Sequence, residues 1–192
     1  MLHKILNFLF GDKNEEDTDN KSFNYRVWIN RRQKKIDKAF KGMTLDELEN
    51  EGFISKTDKE RITELCTGKG VNTIIVGERR SGKSLLARAL ANEIPGTYIE
   101  VLTKDEIINP YRDKPTKDAV VVVDTVKEDN LPNIRDAKNA IVICGGSVNE
   151  ALSFIEKNYG IETANSFSVV IETALFDKDG MPYVKYYGAI NG

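Results

Sequence analysis

A glycine-rich stretch carries the clearest chemistry in this sequence. Gly77, Gly82, Lys83 and Ser84 follow the spacing G-x-x-x-x-G-K-S. The motif comes directly after the apolar run 73–76 and before a stretch whose apolar residues have helical spacing. Glycines permit the tight turn that exposes backbone N–H groups to phosphate oxygens, and the following helix directs the positive end of its dipole at the same anion. The pattern predicts a phosphate-binding loop (P-loop).

The residue types of this loop and of one later strand have expected roles toward a nucleotide. Lys83 would reach the β- and γ-phosphates as a mobile positive charge, and the Ser84 hydroxyl would bind Mg²⁺. Asp124 ends the valine-rich run 119–123, which is typical of a buried parallel strand, and its carboxylate would bind the same Mg²⁺ directly or through water. The predicted metal ligands are Ser84 and Asp124, and the predicted cofactor-binding residues are Gly77, Glu78, Arg79, Arg80, Ser81, Gly82, Lys83, Ser84 and Leu85.

The residues that would support hydrolysis follow a less usual pattern. Many hydrolytic P-loop enzymes place a glutamate directly after the acidic residue of this strand, whereas Thr125 follows Asp124 here. A guanine-reading Asn-Lys-x-Asp motif is absent after the loop, which favours ATP by elimination. We therefore expect ATP and Mg²⁺ as cofactors and weak or partner-dependent hydrolysis, with Lys83 and Asp124 as catalytic residues.

Composition excludes several other classes of function. The 192 residues are 40% hydrophobic and 30% charged, which is typical of one soluble domain with an appendage. A net charge of −2 gives no strong nucleic-acid signal. His3 is the only histidine, which excludes histidine-based catalysis and histidine-based metal sites in the core. Cys66 and Cys144 lie far apart and form no metal-ligand pattern, so we expect a reducing, cytoplasmic setting. No apolar run approaches the ~20 residues that span a bilayer.

The chain is expected to have three parts. Residues 1–22 form a terminal segment and a flexible linker; its apolar start packs on its own domain or, alternatively, lies at the inner face of the membrane or on a partner. Residues 23–67 form a helical N-terminal extension, basic and aromatic at first and then containing two helices that begin with capping boxes at Thr44 and Ser55. Residues 68–192 form the P-loop nucleotide-binding domain.

Further apolar runs predict the rest of this domain. Alternating strands and helices imply a mainly parallel α/β sheet, with Gly77 and Asp124 at the carboxyl ends of their strands, where ligands bind. Ser147 is expected to cap the helix 148–158, or, as the less favoured alternative, Ser147 or Asn149 senses the γ-phosphate. The expected later strands are 97–102, 119–124, 140–144, 169–176 and 182–189, the last two forming a hairpin around an Asp-Lys-Asp-Gly turn.

The order of these features resembles the traffic ATPases of type II and type IV secretion, conjugation and type IV pilus machines. The resemblance runs from about Thr44 to Gly192. It is carried by Gly-Lys-Ser-Leu-Leu-Ala-Arg-Ala-Leu at 82–90, by Ile-Pro at 94–95, by Ser-x-x-Glu-Ala-Leu at 147–152 and by the closing strands. The sequence departs from the family in lacking its histidine box and in having Asp124 where the family usually has glutamate.

This resemblance implies a fold and a set of partners. The fold would be α/β, a P-loop NTPase (RecA-like) three-layer sandwich with a mainly parallel sheet, a C-terminal β-hairpin and a helical N-terminal extension. The protein would form a homo-oligomer such as a hexameric ring and serve a membrane-associated transport or assembly machine. Glu100 would be the family's acidic catalytic residue, and Arg112 would be an arginine that reaches a neighbour's phosphates.

Other functions remain as alternatives. The segment Gly82–Glu93 is also similar to the P-loop helix of AAA+ ATPases, with Asn149 as a polar sensor, although no helical lid domain follows it. A non-hydrolytic module in which ATP controls docking on a partner is a second alternative, and Thr125 favours it. A small-molecule kinase is a third, but the short connections leave little room for a lid over an acceptor.

Overall fold

The computed structural model describes residues 43–102, 118–128, 130–175 and 182–190. The chain divides into two units, Met1–Lys41 and Gly42–Gly192, and every described residue belongs to the second. Expectations for residues 1–42, for Arg112 and for the Asp-Lys-Asp-Gly turn at 177–180 lie outside the described residues. No helix in the described part of the chain is both long enough and apolar enough to cross a membrane.

Helices and strands alternate through most of this unit. The elements in chain order are α1 (Leu45–Asn50), α2 (Lys56–Cys66), β1 (Asn72–Gly77), α3 (Lys83–Glu93), β2 (Thr97–Leu102), β3 (Ala119–Asp124), β4 (Asn139–Ile143), α4 (Val148–Tyr159), α5 (Ile161–Ala164), β5 (Phe167–Ala174) and β6 (Tyr183–Ala189).

The described strands form one six-stranded sheet in the order β2-β3-β4-β1-β5-β6. All neighbours from β2 to β5 are parallel, and β6 is antiparallel to β5. Strands β1, β3 and β4 are buried along almost their whole length, which explains their continuous apolar sequences, since both faces of a parallel sheet are covered. The prediction of a mixed α/β fold with a mostly parallel sheet and a C-terminal hairpin is confirmed.

Helices cover both faces of the sheet. On one face, Ile74, Val121 and Val142 form a buried cluster with Ala151 and Ile155 of α4. Alternate residues of the same strands point to the opposite face, which α3 covers through contacts with β1, β3 and β4. Helix α3 is therefore held against the centre of the sheet, and its first turn lies where β1 ends.

The two predicted capping boxes are present at the starts of α1 and α2. The Thr44 hydroxyl accepts a hydrogen bond from the backbone N–H of Glu47, and the Ser55 hydroxyl accepts one from Asp58. The helices are part of the same unit as the sheet, because the Asn92 amide at the end of α3 donates to the Met43 carbonyl at 2.7 Å.

Some element boundaries differ from the expectations. Strand β4 begins one residue earlier than predicted and ends at Ile143, and β5 begins at Phe167 rather than at Val169. The short helix Ile161–Ala164 was not predicted. Its four residues carry too little periodicity to be distinguished from the turn that follows Gly160.

Candidate functional site

The backbone between β1 and α3 has the conformation that its glycines permit. Gly77 (φ 138°) ends β1, and Gly82 (φ 84°) precedes α3 in the left-handed region. A Cβ atom on Gly77 would lie 2.2 Å from the Thr173 carbonyl oxygen, and one on Gly82 would lie 2.4 Å from the Phe53 ring. Both the dihedral angles and the space therefore require glycine at these two positions.

The Lys83 side chain folds back over this loop. Its ammonium group donates hydrogen bonds to the carbonyl oxygens of Gly77 at 2.8 Å and Glu78 at 2.5 Å. Burial lowers the pKa of Lys83 from its ordinary value, and the nearby carboxylate of Asp124 partly offsets that effect. The Asp124 carboxylate thus offsets only part of the cost of burying the lysine charge. An anion bound at the loop would further stabilise the charged form of Lys83.

Ser84 and Asp124, the two predicted metal ligands, lie side by side. The Ser84 hydroxyl donates to the Asp124 carboxylate at 3.0 Å, although the residues are 40 positions apart. Two ligands at adjacent corners of a Mg²⁺ octahedron, each about 2.1 Å from the metal, lie about 3.0 Å apart. The spacing of these two oxygens therefore fits a shared Mg²⁺ ion.

This pair would not hold the metal alone. Among the residues that the structure describes, no group of three or more His, Cys, Asp or Glu side chains is placed to bind a metal ion. Mg²⁺ commonly binds through one or two protein groups together with substrate phosphates and water. A nucleotide would have to complete the coordination of an ion at Ser84 and Asp124.

The remaining predicted cofactor-binding residues divide into exposed and buried groups. The side chains of Glu78, Arg79 and Arg80 are exposed at the turn. Leu85 is buried in the core, so only its backbone N–H would face a ligand. Ser81 is fully buried, and its hydroxyl donates to the Glu78 carbonyl at 2.8 Å.

Thr173 of β5 is a neighbour of the loop that sequence reasoning missed. Its hydroxyl lies 2.6 Å from the Ser81 hydroxyl, inside the protein. The two residues are 92 positions apart, and a threonine in a strand carries no sequence signal that would mark it as part of a phosphate-binding loop.

The segment after Asp124 is held by side chains that lie outside the sequence motifs. Thr125 has a left-handed backbone (φ 68°), and the Asn130 amide donates to its carbonyl at 3.2 Å. The Tyr159 hydroxyl at the end of α4 accepts hydrogen bonds from the backbone N–H groups of Asn130 at 2.9 Å and Leu131 at 3.1 Å. Thr125 therefore stands at a constrained position beside the Asp124 carboxylate.

Glu100, the expected acidic catalytic residue, forms an ion pair. The Arg88 guanidinium of α3 donates to its carboxylate at 2.8 Å and 2.5 Å, and both side chains are largely buried. Glu100 lies in β2 opposite Val122, two positions before the level of Asp124. Activation of water by Glu100 stays a prediction, and the pair with Arg88 gives this residue a structural role as well.

Ser147 caps α4, as the favoured interpretation predicted. Its hydroxyl accepts a hydrogen bond from the backbone N–H of Glu150, while the Glu150 carboxylate accepts one from the Ser147 backbone at 2.8 Å. Hydrogen bonds from the Ser147 backbone N–H and hydroxyl to the Glu150 carboxylate hold the pKa of Glu150 below its ordinary value. Asn149, the alternative sensor, has an exposed side chain.

Both cysteines are buried free thiols. Burial raises the pKa of Cys66 to about 11 and that of Cys144 to about 12, the nearby Lys83 partly opposing the second shift. Both thiols are therefore protonated at neutral pH, and neither is an activated nucleophile.

Comparison with known proteins gives a distant structural likeness. No protein-family model and no curated protein matches the sequence. Among solved structures, the chain is similar to the VirB11 ATPase from the type IV secretion system of Brucella suis, crystallised in complex with sulphate. The identity is 16% and the TM-score 0.47, over 76% of this chain and 54% of that protein, so the chain spans about half the length of the protein it matches.

Proposed function

We propose that this protein binds ATP together with Mg²⁺ at the loop between β1 and α3. The observation that carries the proposal is the placement of the Ser84 hydroxyl 3.0 Å from the Asp124 carboxylate, directly after the lysine that starts α3. A glycine-rich turn, a lysine and a hydroxyl–carboxylate pair are the protein's share of a Mg²⁺–triphosphate site. The RecA-like P-loop fold is part of this proposal, and the parallel sheet with helices on both faces supports it.

The residues of the loop would divide the work of binding. The backbone N–H groups at the start of α3 would hold phosphate oxygens at the positive end of the helix dipole. Lys83 would exchange its hydrogen bonds to the Gly77 and Glu78 carbonyls for bonds to phosphate. Bound ATP would supply a transferable phosphoryl group, and Ser84 and Asp124 would orient its Mg²⁺ ion.

Replacement of Lys83 tests the nucleotide site. Lys83→Ala should weaken ATP binding by roughly 10- to 100-fold, the range that corresponds to losing a charge-assisted hydrogen bond. Lys157→Ala removes the same charge from an exposed position in the last turn of α4 and should leave binding unchanged. Titration by calorimetry with ATP and with GTP measures both effects and the base preference. Equal ATP affinity for Lys83→Ala and the unaltered protein would show that the loop is not the binding site.

ATP binding with little or no hydrolysis is the second candidate, and Thr125 favours it. This residue occupies the position after Asp124 where many hydrolytic P-loop enzymes carry a glutamate, and its hydroxyl lies 3.4 Å from the Asp124 carboxylate. A hydroxyl is a poor acceptor for the proton of an attacking water compared with a carboxylate. Phosphate release measured under saturating ATP separates the candidates: steady turnover supports an ATPase, and tight binding without turnover supports a regulatory module.

We also propose that the protein forms a cytoplasmic homo-oligomer at the inner face of the membrane and works in a secretion, conjugation or pilus-type machine. The support is the resemblance of residues 82–90 and 147–152 to the traffic ATPases. Sedimentation velocity with and without ATP and Mg²⁺ tests the oligomer. A monomer under every condition would argue against a ring and leave the nucleotide site as a separate question.

A further inference from the structure

Two buried hydroxyl groups join the phosphate-binding loop to the C-terminal hairpin. The hydroxyls of Ser81 and Thr173 lie 2.6 Å apart, and the residues are 0% and 2% exposed. Ser81 also donates to the Glu78 carbonyl at 2.8 Å, and Thr173 has a longer bond, 3.3 Å, to the Val76 carbonyl. These contacts reach the loop from inside the protein, away from the side that a nucleotide would occupy.

The hairpin has an irregularity at the point that brings Thr173 to the loop. Thr173 pairs with Gly77 across the parallel β1–β5 ladder. Between β5 and β6, Glu172 pairs with Tyr186 but Thr173 pairs with Val184, so Lys185 is an extra residue on β6. Such bulges bend a strand and redirect its side chains, and they are frequent beside functional sites.

The hydrogen atoms of this chain of contacts can be assigned by counting. Each hydroxyl carries one hydrogen atom. If Ser81 donates to the Glu78 carbonyl, the bond between the hydroxyls must be donated by Thr173. The 2.6 Å and 2.8 Å distances favour this direction over donation from Thr173 to Val76 at 3.3 Å. Thr173 thus directs the Ser81 hydrogen at Glu78.

The Glu78 carbonyl that receives this bond is also bonded to Lys83. When Lys83 turns from the loop to a phosphate, this carbonyl loses the lysine as a donor, and the bond from Ser81 remains. Without Thr173 as donor, the buried Ser81 oxygen would lack its partner, and an unsatisfied buried polar atom destabilises the conformation that contains it. The loop would then hold its shape less well at the moment when Lys83 leaves.

We propose that Thr173 is a positioning residue, through which the C-terminal hairpin holds the phosphate-binding loop in the conformation that receives a nucleotide. The proposal rests on the proposed ATP site and deepens it. The hydroxyl of Thr173 acts on the loop through Ser81 and has no contact with the ligand. Removing this hydroxyl should therefore lower nucleotide affinity by more than any loss of folding stability explains.

Three matched substitutions test this role. Thr173→Val keeps the side-chain shape and removes the hydroxyl, and it should weaken ATP binding about tenfold, the ratio expected for one buried hydrogen bond. Thr173→Ser keeps the hydroxyl and should remain within about twofold of the unaltered protein. Thr73→Val makes the same exchange at a buried threonine near the other end of β1, and it should leave ATP affinity unchanged.

Titration with ATP and Mg²⁺, together with thermal unfolding of each variant, distinguishes positioning from general stability. Ser81→Ala and the double variant with Thr173→Val should bind ATP about equally, because two changes to one shared hydrogen bond are not additive. A Thr173→Val variant that melts earlier but binds ATP normally overturns the positioning role. So does a Thr173→Ser variant that binds as weakly as Thr173→Val. An unaltered protein that does not bind ATP overturns the nucleotide site and this role together.

Discussion

Lys83, Ser84 and Asp124 come from two elements that are distant in sequence and adjacent at the end of the sheet. Lys83 and Ser84 begin α3, and Asp124 ends β3. Strand β4 separates β1 from β3, so the loop at the end of β1 can bend across β4 toward Asp124. At the scale of single residues, the candidate site is a cation and a hydroxyl–carboxylate pair at one end of a rigid sheet.

Asp124→Asn tests the metal half of the site. The change should abolish the gain in ATP affinity that Mg²⁺ produces, roughly tenfold or more, because a neutral amide is a weak ligand for Mg²⁺. Binding of metal-free ATP should persist, since Lys83 and the loop amides are unchanged. Asp118→Asn removes the same charge at the exposed position directly before β3. This control should keep the gain in ATP affinity that Mg²⁺ produces. Calorimetric titrations with and without Mg²⁺ measure this gain for each variant. An Asp124→Asn variant that still binds ATP more tightly with Mg²⁺ would contradict the metal assignment.

At the scale of elements, an ion pair fastens the loop helix to the sheet. Arg88 lies one helical turn after Ser84 in α3, and Glu100 lies in β2. Their side chains are 8% and 17% exposed, so both charges are largely shielded from water and each helps to stabilise the other. The position of α3, and therefore of the helix end that would face a phosphate, depends partly on this pair.

Glu100→Ala should lower the free energy of unfolding by about 3 kcal/mol or more, because it leaves the buried Arg88 without this carboxylate. Glu162→Ala removes a carboxylate that pairs with Arg135 at the surface and should change stability by less than about 1 kcal/mol. Urea unfolding followed by circular dichroism measures both variants. A Glu100→Ala variant as stable as Glu162→Ala, but unable to hydrolyse ATP, would instead support the catalytic role expected from the sequence.

At the scale of the whole unit, α1 and α2 pack against α3, the helix that begins at the candidate site. Leu45, Leu48 and Ile62 are at most 1% exposed, and the Phe53 ring lies where a Cβ on Gly82 would be. At the other edge of α2, the Tyr187 hydroxyl donates to Asp58 at 3.0 Å. The helices that the sequence placed in an N-terminal extension therefore share a core with α3.

Two truncations test where the domain begins. A fragment of residues 42–192 should fold and bind ATP with nearly the affinity of the full chain. A fragment of residues 68–192 begins at the boundary expected from the sequence. It loses the buried side chains of Leu45, Leu48, Phe53, Ile54 and Ile62, each worth about 1.5–3 kcal/mol. We expect the shorter fragment to be unfolded or molten by circular dichroism and thermal melting. If it melts cooperatively and binds ATP, the two helices are an accessory to the domain.

Features set by neighbours along the chain were readable from the sequence alone. The capping boxes at Thr44, Ser55 and Ser147, the run of valines in β3 and the loop motif each depend on spacings of a few residues. Local spacing fixes which backbone groups a side chain can reach, so these elements were predicted to within about two residues. The parallel sheet followed from the alternation of strands and helices.

Features that depend on strand order were decided only by the tertiary structure. The contact of Ser81 with Thr173 joins residues 92 positions apart. Three other contacts also join separate parts of the chain: Phe53 with Gly82, Tyr159 with the segment after Asp124, and Arg88 with Glu100. Each required knowing which strands are neighbours and which face a helix covers. The sequence determined by itself which residues form the loop; the packing of the sheet decided what holds that loop in place, because the partners of a buried side chain are chosen by three-dimensional proximity and not by spacing along the chain.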